Sequence, residues 1–145
     1  MKPALFISDL HLAPPRPAVA TAFHAWARGP ARDACAVYVL GDLFDEWIGD
    51  EQADDPFTRE VVASLRGIAD AGVPVAVMHG NRDFLLGERF APGETVYENE
   101  GVRLWHDGDG VAVASFKTKI HTVNDHVLNG LQEAIAIAER DFLGM

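Results

Sequence analysis

Asp9 and His11 stand two residues apart in Ser8-Asp9-Leu10-His11, directly after a short apolar run. Two further polar clusters follow apolar runs in the same way: Gly41-Asp42-Leu43 and Gly80-Asn81-Arg82-Asp83. Carboxylate, imidazole and carboxamide groups with no thiolate among them are donors suited to manganese, iron or zinc rather than to a structural zinc site. A carboxylate such as Asp42, lying between the other two clusters, could bridge two ions. Two ions about 3.5–4 Å apart clamp a phosphoryl group and activate water near neutral pH. Arg82 adds a guanidinium fork that matches phosphate oxygens. Spaced by two, Asp9 and His11 would point the same way in an extended segment. Gly41 and Gly80 would let the backbone turn sharply before each ligand. Taken singly, Asp9, Asp42 and Asn81 equally fit turn or cap chemistry, and Arg82 a surface ion pair. Their recurrence at three successive points in the chain is what indicates metal binding.

Such a site needs elements that bring the three clusters together. Leu5-Phe6-Ile7, Val37-Tyr38-Val39-Leu40 and Val75-Ala76-Val77-Met78 are short all-apolar runs, the pattern of strands buried on both faces of a parallel sheet. Residues 17 to 28 place Val19, Ala22, Phe23 and Trp26 on one helical stripe before Gly29-Pro30. A second helix is predicted from Pro56, capped by Asp55, through Phe57, Val61, Leu65 and Ile68 to a stop at Gly72. The result is βαβαβ with right-handed crossovers, and in such open sheets ligands bind beyond the carboxyl ends of the strands. All three clusters fall there.

The 145 residues, 48% hydrophobic and 23% charged, suit one globular domain with a sizeable core and exclude a disordered chain. Cys35 is alone, which excludes an internal disulfide and points to a reducing, cytoplasmic compartment. No apolar run approaches the roughly 20 residues that span a bilayer, and the N-terminus reads as a strand rather than a signal peptide. A net charge of −10 argues against nucleic acid as a partner. Seven of the acids fall between residues 42 and 55, where there is no Lys or Arg. That run reads either as a solvated loop or as a lure for cations. Within it Trp47 and Ile48 either line an acyl-chain groove or pin the loop to the core. His79 reads as a buried, hydrogen-bonded histidine and His24 as an exposed one.

D-x-H, G-D-x and G-N-R-D at strand ends resemble the calcineurin-like metallophosphoesterases. FISDLHL, YVLGDLFDEWIGD and VMHGNRDFLLGERF narrow the resemblance, over residues 1–90, to the branch of that superfamily that hydrolyses UDP-2,3-diacylglucosamine in lipid A biosynthesis. The resemblance implies a manganese-dependent cleavage of the pyrophosphate, yielding UMP and a lipid monophosphate. It implies that Asp9, His11 and Asp42 hold a first Mn2+, that Asp42 and Asn81 hold a second, and that Asn81 and Arg82 contact the nucleotide-lipid substrate. The family has two manganese ions and sits peripherally on the cytoplasmic face of the inner membrane; one ion or none is expected here.

The second half departs from that pattern. The family continues with H-G-D, a helical lid and G-H-x-H, which supply three more metal-binding histidines. No G-H-x-H is present, and the nearest text to H-G-D is Trp105-His106-Asp107-Gly108-Asp109. His106 is therefore a weak candidate ligand, with His121 and His126 behind it. Residues 102–105 and 111–116 are strand-like around a turn at 106–110, and a helix is expected from 124 or 125 to 140. The fold class expected is thus α/β: the N-terminal βαβαβ half of a metallophosphoesterase sandwich (1–90), followed by a β-hairpin and a C-terminal helix (91–145). From about residue 92 the text also resembles the opening of a crotonase-like domain in bacterial multifunctional 3-hydroxyacyl-CoA dehydrogenases. On that resemblance the chain reads as a truncated chimera joined near 86–93. Three functions remain open: the hydrolase, an inactive or weak single-metal-binding fragment, and an acyl-CoA-related fragment. A three-stranded sheet would leave exposed edges prone to self-association, and the lid that would support membrane contact has no counterpart.

Overall fold

The computed structural model describes residues 2–83, 85–87, 89–90, 93–106, 111–117 and 124–141. In chain order these form β1 (Ala4–Ile7), α1 (Pro17–Arg28), β2 (Ala36–Leu40), α2 (Pro56–Ala69), β3 (Val75–Met78), β4 (Glu94–Glu98), β5 (Val102–His106), β6 (Val111–Phe116) and α3 (Asp125–Asp141). Short 3-10 turns occupy Pro30–Asp33 and Asp50–Asp54. The βαβαβ start, the later strand pair and the last helix all lie where the sequence places them. The turn between β5 and β6 falls outside the described residues.

One six-stranded sheet has the order β1-β2-β3-β6-β5-β4. Strands β1, β2, β3 and β6 are parallel, while β5 and β4 run antiparallel to their neighbours. This corrects the expectation of a three-stranded sheet with β3 at its edge. Val111 to Ala114 pair with Val75 to Met78, so β3 is interior and the edges are β1 and β4. The later strands carry their own inward-facing valines, which let the hairpin dock beside β3. Strand β4 was not legible in Glu-Thr-Val-Tyr-Glu; it is a mostly exposed edge strand with an irregular register between Thr95 and Tyr97, as edges often have.

Helices α1 and α2 cover one face, where Val37, Val39, Val75, Val77, Val111 and Val113 are buried. Helix α1 buries Ala20, Phe23 and Ala27 with Val19 and Trp26 half-buried beside them, so its inward stripe is turned slightly from the one expected. On α2 the buried side chains are Thr58, Val61, Leu65 and Ile68. The expected cap is present: the Asp55 carboxylate accepts from Phe57 N–H at 2.9 Å and Thr58 N–H at 3.3 Å. Asp55→Ala should therefore cost about 1 kcal/mol, read as a lower urea midpoint at unchanged slope. An unchanged midpoint would contradict that role. His24 is not merely exposed: its Nδ1 lies 2.8 Å from Ser64 Oγ and links α1 to α2.

The opposite face corrects the expectation of strands buried on both sides. Side chains alternate along a strand, and α3 packs on β5 and β6, through Val127, Ala134 and Ile137 on Val102, Leu104 and Ala112. Over β1 and β2, Phe6 stacks on Tyr38 with ring centroids 4.9 Å apart, yet it stays 62% exposed, and Leu40 is 47% exposed.

Candidate metal centre

Beyond Ile7 and Leu40 the chain does not scatter into loops; the two segments zip together. Asp9 N–H donates to Gly41 O, His11 N–H to Asp42 O and Leu12 N–H to Leu43 O, at 3.1, 3.0 and 2.9 Å. Leu12 and Phe44 close a parallel bridge, and both are buried. Three non-glycine residues here adopt left-handed backbone: Asp9 (φ 55°), His11 (φ 47°) and Asp42 (φ 50°). Asp9 and His11 thus converge by a different route from the one expected, since neither lies in an extended segment. Such conformations cost about 1–3 kcal/mol each and persist only where surrounding contacts over-determine them, which is typical of functional sites. Here the strain has a product. Asp9, His11 and Asp42 each offer one ligand atom, and these atoms all lie within 4.8 Å of one another.

The third strand end supports this cluster from below. Arg82 N–H donates to Asp42 Oδ1 at 2.9 Å, and Arg82 O accepts from Trp47 N–H at 3.0 Å. Gly80 is required by close approach: a Cβ there would collide with Asp42 Oδ1 and stand 2.6 Å from Asp42 N. Gly41 is required both by its φ of 102° and because a Cβ would come within 2.9 Å of Gly80 Cα. Asn81 is exposed between two residues that press on Asp42, and the Arg82 side chain is exposed beside it.

Two carboxylates with no role in the motif reading, Asp45 and Asp83, complete the arrangement. His11 Nε2 lies 4.0 Å from Asp42 Oδ2, while its Nδ1 lies 3.2 Å from Asp45 Oδ1. A proton on Nδ1 facing that carboxylate leaves the Nε2 lone pair for the cluster, the usual outer support of a metal-ligating histidine. Asp83 is fully buried, and burial pushes its carboxyl above the usual range despite three backbone N–H donors. The available signal was spacing: Asp45 follows Asp42 by three, and Asp83 follows Gly80 by three.

The acidic run has specific local duties rather than a shared one. Asp50 accepts from Gly87 N–H and Arg89 N–H at 3.1 and 3.3 Å, and Asp55 caps α2. Arg89 and then Arg59, hydrogen-bonded to Asp54, hold its carboxyl below the usual range. Trp47 is 1% exposed against Phe44 and Phe90, with centroids at 5.2 and 5.9 Å, so it pins the loop to the core. Ile48 alone stays out, 70% exposed.

The remaining histidines are elsewhere. His106, the weak candidate ligand, stands apart from this cluster: β5 runs antiparallel, and pairing with Ala112 carries its last residue toward the amino-terminal end of β3, away from Asn81. His126 is exposed, 3.4 Å from Glu100, and His121 falls outside the described residues. His79 is buried as expected; its Nε2 accepts from Phe116 N–H at 2.7 Å and lies 3.0 Å from Ser115 Oγ. Among the described residues, Asp9, His11 and Asp42 form the one such cluster of acidic, histidine or cysteine side chains. Two carboxylates and an imidazole, preset by strained backbone, fit a divalent cation.

Comparison with known proteins extends the resemblance beyond its expected limit. The family model for calcineurin-like phosphoesterases matches residues 2–138. A UDP-2,3-diacylglucosamine hydrolase of Ralstonia nicotianae is 48% identical over 110 residues, covering 70% of this chain and 41% of the relative. One from Escherichia coli O157:H7 is 43% identical over 131 residues, covering 81% and 54%, and one from Shigella dysenteriae serotype 1 is 42% identical over the same span. The chain thus spans about half the length of these relatives. The second resemblance, to crotonase-like domains, finds no support, because the phosphoesterase match runs through the region assigned to it. Among the described residues no helix is long and apolar enough to cross a membrane.

Proposed function

This chain belongs to the calcineurin-like phosphoesterase family, and from that premise we propose that it takes part in metal-dependent hydrolysis of the pyrophosphate of UDP-2,3-diacylglucosamine to UMP and the lipid monophosphate. The observation that carries the reading is the convergence of Asp9, His11 and Asp42 within 4.8 Å at the carboxyl end of the sheet. These three would hold a divalent cation, manganese being the ion proposed, and Asp42 with Asn81 would hold a second. A cation so bound polarises a phosphoryl oxygen and lowers the pKa of water.

The chain's own residues do the rest. Asp45 orients the His11 ring, and the Arg82 N–H holds Asp42 in place. Asn81 and Arg82 are exposed on the backbone segment that donates to Asp42, and their carboxamide and guanidinium fork would take phosphate oxygens and orient the substrate. Residues 1–90 supply these groups, and β6, β5 and β4 extend the sheet beyond β3. The substrate proposed is a nucleotide-lipid, met from the cytoplasmic face of a membrane. A second reading has its own support: among the described residues one three-ligand cluster is present, which would suit a single ion with weak turnover or none.

UMP release from UDP-2,3-diacylglucosamine, measured with added Mn2+ and again with excess EDTA, tests this. Release with Mn2+ that EDTA abolishes is expected. Release that survives EDTA would overturn metal dependence, and absence of release in a chain that binds Mn2+ would favour the single-ion reading.

A further inference from the structure

We infer that Asp83 is a positioning residue that sets the cation centre by clasping the loops after β2 and β3 together, an inference that rests on the reading of Asp9, His11 and Asp42 as a metal site. Asp83 Oδ2 accepts from Leu43 N–H at 2.7 Å and Phe44 N–H at 3.2 Å, and Oδ1 accepts from Gly80 N–H at 2.6 Å. The clasp is reciprocal. Asp83 reaches from the β3 loop to the two amides that follow Asp42, while Asp42 reaches from the β2 loop to the amide that precedes Asp83.

Every one of these partners is a donor, and both oxygens of Asp83 are engaged, so only a carboxylate satisfies all three. An asparagine would turn its NH2 toward at least one N–H and leave a buried donor unpaired. The clasp also reaches the first strand. Leu43, held through its N–H, accepts through its O from Leu12 N–H at 2.9 Å, and Leu12 follows His11. One buried side chain therefore fixes the backbone on which Asp42 and Asn81 are carried, and through Leu43 it steadies His11. All three of these hydrogen bonds go to backbone amides. Its fully buried position places it behind the cluster rather than in it.

Mn2+ titration followed by the electron paramagnetic resonance signal of the free ion provides the test, with amide hydrogen exchange on the same samples. Wild type, Asp83→Asn and the core variant Val113→Ala are compared, Val113 being buried and a partner in none of these hydrogen bonds. Asp83→Asn should bind Mn2+ about 10- to 100-fold more weakly, as loss of an outer-shell partner does. The amides of Leu43, Phe44 and Gly80 should exchange faster in that variant, while Val113→Ala loses stability but binds as wild type does. Unchanged affinity in Asp83→Asn despite faster exchange would overturn the inference, as would an equal loss in Val113→Ala. If Asp83→Asn does not fold, Asp83→Glu, which keeps the charge and displaces the oxygens, replaces it with the same readouts. Wild type that takes up no Mn2+ would refute the metal centre itself, an outcome distinct from failure of the clasp.

Discussion

Asp42→Asn should reduce Mn2+-dependent UMP release by about 100- to 1,000-fold, the scale seen when one electrostatic contact to a reacting centre is removed. The substitution preserves shape. Asparagine keeps an oxygen for Arg82 N–H, which Asp42 Oδ1 accepts at 2.9 Å, so the two loops stay joined. What it removes is the charge that Asp42 brings to a cluster whose other donors are Asp9 and His11. The variant should unfold at a urea concentration close to that of wild type while activity collapses. A collapse of folding and activity together would instead mark Asp42 as structural, and undiminished release would remove it from the chemistry.

The largest effect on stability is expected at Trp47. It is 1% exposed, in contact with Phe44 and Phe90, and it carries the loop after β2 into the core. Its indole N–H has no acceptor among the described residues, so packing rather than hydrogen bonding accounts for its contribution. Trp47→Ala should cost about 3–5 kcal/mol, a large part of the roughly 5–15 kcal/mol that holds such domains folded. Ile48→Ala, at a neighbouring exposed position, should stay within about 0.5 kcal/mol of wild type. Urea unfolding of the two variants side by side distinguishes a pinned loop from an acyl-chain groove. Equal and small effects would contradict the pinning.

Much of this was legible because local signals and tertiary structure agree. Asp55-Pro56 starts α2 as the capping rules require, Gly72 follows its end with φ +81°, and the three apolar runs became parallel strands. The Asp9–His11–Asp42 cluster was legible for a topological reason: once βαβαβ is recognised, every polar group after a strand shares one edge. The conformation of that edge was not. Left-handed φ at Asp9, His11 and Asp42 is imposed by hydrogen bonds between loops some 30 residues apart, which no local pattern encodes. Asp45 and Asp83 were missed for the same reason, since their partners are distant in sequence or lie on another strand's loop. Misreading β3 as an edge came from treating the hairpin as separate, when the alternating valines of β6 already matched those of β3. The exposure of Phe6 and Leu40 shows the limit of composition: an all-apolar strand reports what could be buried on both faces, not what covers it.

On the function proposed, Asp9, His11 and Asp42 hold a cation. Counting Mn2+ ions bound per chain, by titration of wild type and Asp42→Asn under the same conditions, tests it most directly. At least one ion should be taken up per wild-type chain, and uptake should be lost in the variant. Equal uptake by both, or none by wild type, would contradict it.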